Sequence, residues 1–381
     1  MDFQLTDEQK LLRESVRTFT KQRSPVSRFR KLRDRAAEQG GSWDRAVWRE
    51  MGELGWLSLP FPEAIGGFGG SFVDVAIVLE AFGATLVPEP YLASVVLAGT
   101  ALLRAGDAAQ QQQFLAPMIE GRTALALAHG ERELRFAADA AGASTTATRE
   151  GGLWRVRGRK QFVLAGAQAD ALVVSARHGE GTALFVLPRD HAGVAVTPVR
   201  TLDGLGAATV ELDATVADAL HLPGDAADAL ERAHDAAAAM SVAEGLGVCQ
   251  AVLDMTVAHL RTREQFGVAI GTFQALQHRA VEMFVEVELV RSIAVLAAVR
   301  AADDDAAQRR HAVSAAKVQA AQSGRFVTQQ AIQFHGGIGI TDEHDVGLYF
   351  KRMHALGLVA GDEEHHVQRF AAQPQFTAGL G

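Results

Sequence analysis

The chain has 381 residues, of which 48% are hydrophobic, so it is long enough to fold two or three packed domains around a large core. Its formal net charge of −8 shows no basic bias of the kind that nucleic-acid binding requires. A single cysteine excludes a disulfide framework, and no uninterrupted apolar run reaches the ~18 residues of a membrane span. We therefore expect a cytoplasmic protein that neither binds nucleic acid nor spans a membrane.

The N-terminal part of the sequence predicts a series of short helices. Thr6 and Gln9 have the spacing of a capping box, in which each side chain binds the backbone N–H of the other residue. Ser42 and Asp107 stand where each would cap a later helix. Between them, the breaker-rich stretch PFPEAIGGFGGS (residues 60–71) predicts a loop.

The pattern changes between about Arg122 and Ala219. Short β-rich runs follow one another with turn residues between them: LWRVRGRKQFV, ADALVVSA, TALFVLP, GVAVTPV and AATVELD. Strands at this spacing, with no helices between them, predict an antiparallel β domain, either a barrel or a sandwich.

The C-terminal part is rich in alanine and poor in proline. Nine of the ten prolines lie at or before Pro223, and the next is Pro374. The intervening sequence has apolar residues at helical spacing, which predicts long helices packed as a bundle. The sequence thus predicts an α+β fold that is mostly α. Its domains are an N-terminal helical domain at 1–121, a middle β-barrel domain at 122–220 and a C-terminal helical bundle at 221–381.

Two glycine-containing segments of this helical region predict contact sites. REQFGVAIGTFQALQHR (residues 263–279) contains two glycines, each of which costs roughly 1 kcal/mol in a helix relative to alanine. FHGGIGI (residues 334–340) lacks the preceding strand that a dinucleotide-binding fingerprint needs, because the sequence before it predicts a helix. A glycine pair there ends the helix and allows the backbone to approach another group closely.

Other chemistries leave no recognisable pattern. His365 and His366 are adjacent and would point in different directions on a helix, so they cannot both bind one ion. The remaining histidines lack the spacing of metal ligands, and no phosphate-binding loop or nucleophile elbow is present. We predict no metal site.

Four segments together resemble the flavin-dependent acyl-CoA dehydrogenase family. RTREQFGVAIGTFQALQHRAVEM and QQAIQFHGGIGITDEHDVGLYFKR resemble its two C-terminal signatures. LPFPEAIGGFGG resembles its N-terminal glycine-rich loop, and VRGRKQFVLAGAQADALVVSA its middle-domain segment. The resemblance covers the whole chain and implies a helical domain, a β-barrel domain and a C-terminal four-helix domain. It also implies a tetramer in which each FAD lies across two subunits.

The resemblance further assigns two sets of cofactor contacts. Residues that would reach the FAD pyrophosphate and adenine held by a neighbouring subunit are Arg263, Phe266, Phe273, Gln274, Gln333, Phe334, His335, Gly336 and Gly337. Residues at the positions that contact the chain's own flavin are Ala128, Phe162 and Leu164. An arginine is suited to pyrophosphate as a planar, permanently charged donor, and glycine N–H groups can approach an anion without a Cβ in the way.

The sequence departs from the family at the catalytic base. The family removes the α-proton of an acyl thioester with a glutamate, while the β-hydride passes to the flavin. The two positions from which family members supply this glutamate fall on Gly361 and Ala237, neither of which can accept a proton. Glu244, Glu363 and Glu364 are the nearest substitutes.

A second departure affects the chain's own flavin. Ala128 stands in place of the family's threonine and Leu134 in place of its serine, while Phe162, Val163 and Leu164 replace its Trp-Ile-Thr segment. Phe162 can still stack, but several hydrogen bonds to the flavin are lost, each worth about 1 kcal/mol. The contacts to a neighbour's flavin are retained.

This asymmetry predicts a subunit of a heteromeric acyl-CoA dehydrogenase that lacks its own glutamate and completes the FAD site of a catalytic homologue. The enzyme would dehydrogenate acyl-CoA thioesters, as such enzymes do for fatty acids or steroid side chains, with an electron-transfer flavoprotein as the acceptor. Two alternatives remain. One is a self-sufficient homotetrameric dehydrogenase with a displaced base, and the other is a flavin monooxygenase on the same fold.

Overall fold

A computed structural model of the chain describes residues 4–39, 42–132, 134–137 and 140–373. Contacts divide it into two compact units. The first unit comprises residues 1–29, 72–87 and 238–381, and the second unit comprises residues 30–71 and 88–237.

The described residues are mostly helical. The α-helices are α1 (Asp7–Arg23), α2 (Val26–Gln39), α3 (Arg45–Glu53), α4 (Phe72–Thr85), α5 (Gly99–Ala105), α6 (Ala108–Gln110), α7 (Ala116–Ile119), α8 (Ala226–Thr262), α9 (Gln274–Arg300), α10 (Ala306–His335), α11 (Gly337–Ile340), α12 (Val346–Leu358) and α13 (Glu363–Ala371). The strands are β1 (Leu125–Ala128), β2 (Thr146–Glu150), β3 (Leu153–Leu164), β4 (Ala171–His178), β5 (Gly181–Pro188), β6 (Val194–Val199), β7 (Ala207–Ala217), β8 (His221–Leu222), β9 (Glu264–Gln265) and β10 (Val268–Ala269). This distribution confirms the predicted fold class.

In the first unit, α8 packs closely against α4. A Cβ atom on Gly247 of α8 would lie 1.9 Å from the Glu80 carbonyl oxygen, and one on Gly83 of α4 would lie 2.0 Å from the Glu244 carbonyl oxygen. Glycine at both contact positions lets the two backbones touch. α8 is also long and apolar enough to cross a membrane by length and composition, but 89% of its most apolar window is buried inside the protein, as in a core helix.

In the second unit, eight strands form one mixed sheet. Its order is β6-β7-β3-β2-β4-β5-β8, and β1 pairs with β4. The pairings are antiparallel except for the parallel pairs β1–β4 and β2–β4. The five predicted runs correspond to β3 to β7, and one face of the sheet buries a core that includes Trp154, Val156 and Phe185.

The helix caps show where local sequence was sufficient. Thr6 and Gln9 form the predicted capping box, and Asp107 forms another with Gln110. The predicted cap at Ser42 is wrong: Asp44 caps α3, and the Ser42 hydroxyl donates to the Leu205 carbonyl of the β6–β7 connection. Asp44, two residues further along, provides the cap instead, and the Ser42 hydroxyl binds an acceptor that is distant in sequence.

Candidate functional site

The segment between α8 and α9 is a β-hairpin. Glu264 and Gln265 pair with Val268 and Ala269, and the two turn residues, Phe266 and Gly267, both have positive φ, of 55° and 81°. This is the backbone pattern of a tight hairpin turn, in which a phenylalanine is unusual. The Phe266 side chain is 93% exposed and meets Phe273 edge to face at 6.1 Å. An exposed aromatic ring on a strained turn is available to a ligand.

A second exposed element lies at the end of α10. Gly336 ends the helix with φ of 62°, and Gly337 begins α11. A Cβ atom on either glycine would have no atom within 4 Å, so the backbone of this turn is open to approach. The Gly336 N–H itself donates to the Ile332 and Gln333 carbonyl oxygens. The positive φ confirms that Gly336 is needed for the turn, and the open space gives an anion access to it.

His335 lies beneath this turn and is 6% exposed. Its Nδ1 lies 2.7 Å from the Ala331 carbonyl oxygen and donates to it, so Nε2 carries a lone pair. That buried Nε2 has no hydrogen-bond partner among the described residues. The His335 ring packs against the rings of both His259, at 4.5 Å, and His344, at 4.3 Å. Burial lowers the pKa of His335, so the ring is neutral near pH 7.

These elements carry the residues predicted to hold a neighbour's cofactor, which we call the clamp: Arg263, Phe266, Phe273, Gln274, Gln333, Phe334, His335, Gly336 and Gly337. Arg263, Gln274 and Gln333 are exposed, whereas Phe334 is 7% exposed and lies under the Arg279 guanidinium at 5.3 Å. The donors, the open glycine turn and the exposed ring suit a dinucleotide with an anionic pyrophosphate and a planar base. The clamp therefore fits FAD. The Phe334 and His335 side chains are buried and pack beneath the exposed clamp residues.

The residues predicted at the chain's own flavin lie in the second unit. A register shift between Lys160 and Val163 of β3 turns Phe162 outward, with φ of 50° and 70% exposure. Phe162 can therefore stack on a planar ring. Leu164 is half-buried, and Ala128 is fully buried within the sheet core. Neither side chain offers a hydrogen-bond donor or acceptor.

A buried polar network that the sequence analysis did not identify lies beside this position. The Lys160 ammonium is 2.6 Å from Glu131 and 3.1 Å from the Ser175 hydroxyl, and its side chain is completely buried. Burial raises the pKa of Glu131, but hydrogen bonds from Lys160, Ser144 and Thr145 outweigh it and bring the pKa to about 2. Through Glu131, the ion pair connects the backbone of Ser144 and Thr145 to β3. Lys160 follows the inward alternation of Trp154 and Val156, which was an available signal.

His129 extends this network. Its Nδ1 is 2.8 Å from the Ser175 hydroxyl and its Nε2 is 2.7 Å from the Ala137 carbonyl oxygen. Burial and the nearby His234 lower the pKa of His129 to about 3, so the ring is neutral and donates from Nε2. Protein groups thus satisfy the polar side-chain atoms of Lys160, Glu131 and His129 without a cofactor.

The first base position, Gly361, has a backbone that disfavours any side chain. Its φ is 123°, and a Cβ atom would lie 2.6 Å from Nε2 of His366 and 2.6 Å from Cδ2 of His365. His366 is buried and its Nε2 donates to the Ala360 carbonyl oxygen at 3.1 Å. Lys317, also buried, donates to the Val359 carbonyl oxygen at 2.9 Å. These contacts fix the segment in a conformation that favours glycine.

The other candidate bases are also engaged. Ala237, the second base position, is fully buried on α8. Glu244 is 3% exposed and accepts two hydrogen bonds from Arg352, at 2.6 and 2.7 Å. Gln322 and Arg325 donate to Glu363 and lower its pKa. Glu364 accepts from the exposed Gln368. The lowered pKa of Glu363 does not favour a general base, and the Glu244 carboxylate is already bound by Arg352.

Comparison with known proteins identifies the family. The acyl-CoA dehydrogenase N-terminal, middle and C-terminal domain models match residues 6–122, 130–215 and 227–373. The acyl-CoA dehydrogenase FadE27 of Mycobacterium tuberculosis is 33% identical over 81% of this chain and 82% of its own length. This chain belongs to the acyl-CoA dehydrogenase family. Family members are FAD-dependent oxidoreductases, so FAD is the cofactor of this protein class.

Two solved acyl-CoA dehydrogenase structures are similar over nearly the whole chain. The ChsE4-ChsE5 complex of Mycobacterium tuberculosis has a TM-score of 0.87 at 31% identity, covering 97% of this chain and 98% of its own. A variant of the Tcur3481-Tcur3483 steroid acyl-CoA dehydrogenase has a TM-score of 0.84 at 27% identity, covering 96% and 97%. The first is a complex of two named components, and the second also carries two component names.

Proposed function

We propose that this acyl-CoA dehydrogenase is the non-catalytic subunit of a heteromeric enzyme, in which it completes the FAD site of a catalytic homologue. The conformation of Gly361 carries the proposal. Its positive φ and the two histidine rings against it disfavour the glutamate that other family members place there.

The clamp would serve the partner's cofactor. Arg263 would donate to the pyrophosphate, the open turn at Gly336 would let the Gly337 N–H approach its oxygens, and Phe266 would cover the adenine. FAD supplies the acceptor for the hydride that leaves the acyl chain. This chain would bind and orient the cofactor, while the partner supplies the base.

The chain's own half-site supports the same division of labour. Ala128 and Leu164 present no polar atoms, and Lys160, Glu131 and His129 satisfy one another. A flavin bound there would gain stacking on Phe162 but few hydrogen bonds. We therefore expect one FAD for each pair of unlike subunits.

The substrate and acceptor follow from the same relatives. The steroid enzyme among the similar structures supports an acyl-CoA thioester with a bulky acyl chain as the substrate class. An electron-transfer flavoprotein would reoxidise the flavin. We also propose the three-domain division at 1–121, 122–220 and 221–381, the tetrameric assembly and a cytoplasmic location.

The test is to purify the chain alone and after co-expression with a catalytic homologue from the same genome. We expect a colourless chain alone, and a yellow complex whose flavin absorption is bleached by a steroid-side-chain acyl-CoA under anaerobic conditions. As a control, the homologue is also purified alone and should retain little FAD. A yellow homotetramer that acyl-CoA bleaches would instead establish the self-sufficient enzyme. A requirement for a flavin reductase and oxygen would establish the monooxygenase.

A further inference from the structure

Three histidine rings connect the two parts of the clamp. His259 lies in the last turn of α8, four residues before Arg263, whose N–H it accepts through its carbonyl at 2.9 Å. His335 lies in the last turn of α10, directly before Gly336. His344 follows α11, and its Nδ1 accepts the N–H of Val346 at 3.2 Å. We call these three residues the histidine stack.

The contacts of the stack run through its central ring. His335 lies 4.5 Å from His259 and 4.3 Å from His344 between ring centroids, with the planes tilted by 31° and 47°. A Cβ atom on Gly339 would lie 3.0 Å from Cβ of His335, so glycine lets α11 close over the ring. The stack therefore joins the base of the hairpin to the open glycine turn and to the start of α12.

The hydrogen bonds of the stack require neutral rings. The lone pair on Nδ1 of His344 is used by Val346, and a proton on that atom would break the bond. A proton on Nε2 of His335 would create a buried donor without a partner and a charge between two other rings. Arg263 adds a further positive charge on the His259 side. Burial also lowers the pKa of both His259 and His335.

We propose that His335 is a positioning residue for FAD: the neutral histidine stack sets the spacing between Arg263 and the Gly336 turn, and protonation of the stack releases the cofactor. This inference rests on the proposed role of the clamp. The folded protein favours the neutral rings of His259 and His335. Their contribution to the free energy of unfolding is therefore present above the usual histidine pKa of about 6.5 and is lost as the pH falls below it.

Charged groups near the histidine stack lie on several elements. Arg263 stands at the hairpin, Arg279 lies over Phe334 on the neighbouring turn, and Asp345 follows His344. Asp342 and Glu343 precede His344, so carboxylates flank it on both sides along the chain. The charges that act on His335 are those of His344 and His259, those that act on His259 are His344 and Arg263, and all of them oppose a proton.

The test measures FAD released from the co-expressed complex, by the fluorescence of free FAD, between about pH 8 and pH 5. We expect the affinity of the wild-type complex for FAD to fall by about tenfold or more over this range, since protonation of one or two rings of the histidine stack would disrupt the clamp. His335→Phe, which retains a ring that cannot titrate, should flatten the profile. His335→Ala should weaken binding at every pH. His278→Phe, on the exposed face of α9, is the matched control and should keep the wild-type profile.

His344→Asn gives an independent variant, because the amide oxygen can still accept from Val346 while one ring of the histidine stack is removed. It should also flatten the profile, and it decides the question if His335→Phe does not fold. A wild-type profile in both variants, or no pH dependence in the wild type, would overturn the inference.

Histidine NMR titration of the chain alone needs no FAD. There, titration of the His259 and His335 signals below about pH 6.5 would persist even if the clamp binds no cofactor.

Discussion

The imidazole of His366 occupies the space into which a side chain at Gly361 would extend. The two residues meet because φ at Gly361 is 123°, and Nε2 of His366 is held there by the Ala360 carbonyl oxygen and Nδ1 by the Ser314 hydroxyl. Burial and the nearby Lys317 lower the pKa of His366 to about 2, so the ring stays neutral. The preference for glycine at this position is therefore part of the local fold.

Restoring a carboxylate at this position should fail. We expect Gly361→Ala to lower the free energy of unfolding by about 1–3 kcal/mol, because it adds a clash to an unfavourable φ. Gly361→Glu should destabilise at least as much and yield no dehydrogenase activity in the chain alone. Urea denaturation and acyl-CoA bleaching measure the two effects.

Gly357 is the matched control for this prediction. It lies within α12, and a Cβ atom there would meet nothing within 4 Å. Gly357→Ala should stabilise the protein by up to about 1 kcal/mol, since alanine favours the helix. Equal effects at both glycines would contradict the strained geometry at Gly361.

Glu244 should not act as a base. Its carboxylate is buried against Arg352, so Glu244→Gln should destabilise the fold but leave turnover of the co-expressed complex within about twofold of wild type. Loss of a true general base costs ~10²–10⁴ in rate. Steady-state kinetics with a saturating acyl-CoA separates the two. Glu288→Gln, in a half-exposed pair with Arg291, serves as the comparison. A large fall in kcat with intact folding would restore Glu244 as the catalytic residue.

Arg263 should contribute to FAD binding but not to the thermal stability of the lone chain. Its side chain is exposed, so Arg263→Met should leave the thermal stability of the lone chain unchanged. In the complex it should weaken FAD binding by about tenfold or more, because a charge-assisted bond to pyrophosphate contributes roughly 1.5–3 kcal/mol. Arg261→Met, also exposed at the end of α8, should have little effect. FAD content after dialysis provides the measurement.

His129 should make the second unit sensitive to mild acid. Its pKa is about 3 in the folded protein, against 6.5 for an ordinary histidine, so the unfolded chain binds more protons between these values. Stability should fall as the pH drops from 6.5, by up to about 1.4 kcal/mol per pH unit from this group. Urea titrations at several pH values should show a shallower dependence for His129→Gln. His191→Gln, on the turn after β5, should keep the wild-type dependence.

The relation between sequence and structure differs among the elements. Capping at Thr6 and Asp107, the five longer strands and the C-terminal helices follow from neighbours in sequence, because hydrogen bonds and apolar periodicity there are local. The hairpin at Phe266 was not predicted as a hairpin, since phenylalanine with a positive φ is disfavoured by its own backbone. The Lys160–Glu131 pair was missed because its two members are 29 residues apart.

The sequence by itself determined the family, the order of helical and β regions, the glycine-marked clamp segments and the absence of glutamate at 237 and 361. Each of these depends on residue identity or on spacing along the chain. Only the tertiary structure decided that Glu244 is held by Arg352, that His335 is enclosed by two other histidines and that Gly361 has no space for a side chain. Those outcomes depend on burial and on contacts between distant residues, which set the proton affinity and the available volume at each site.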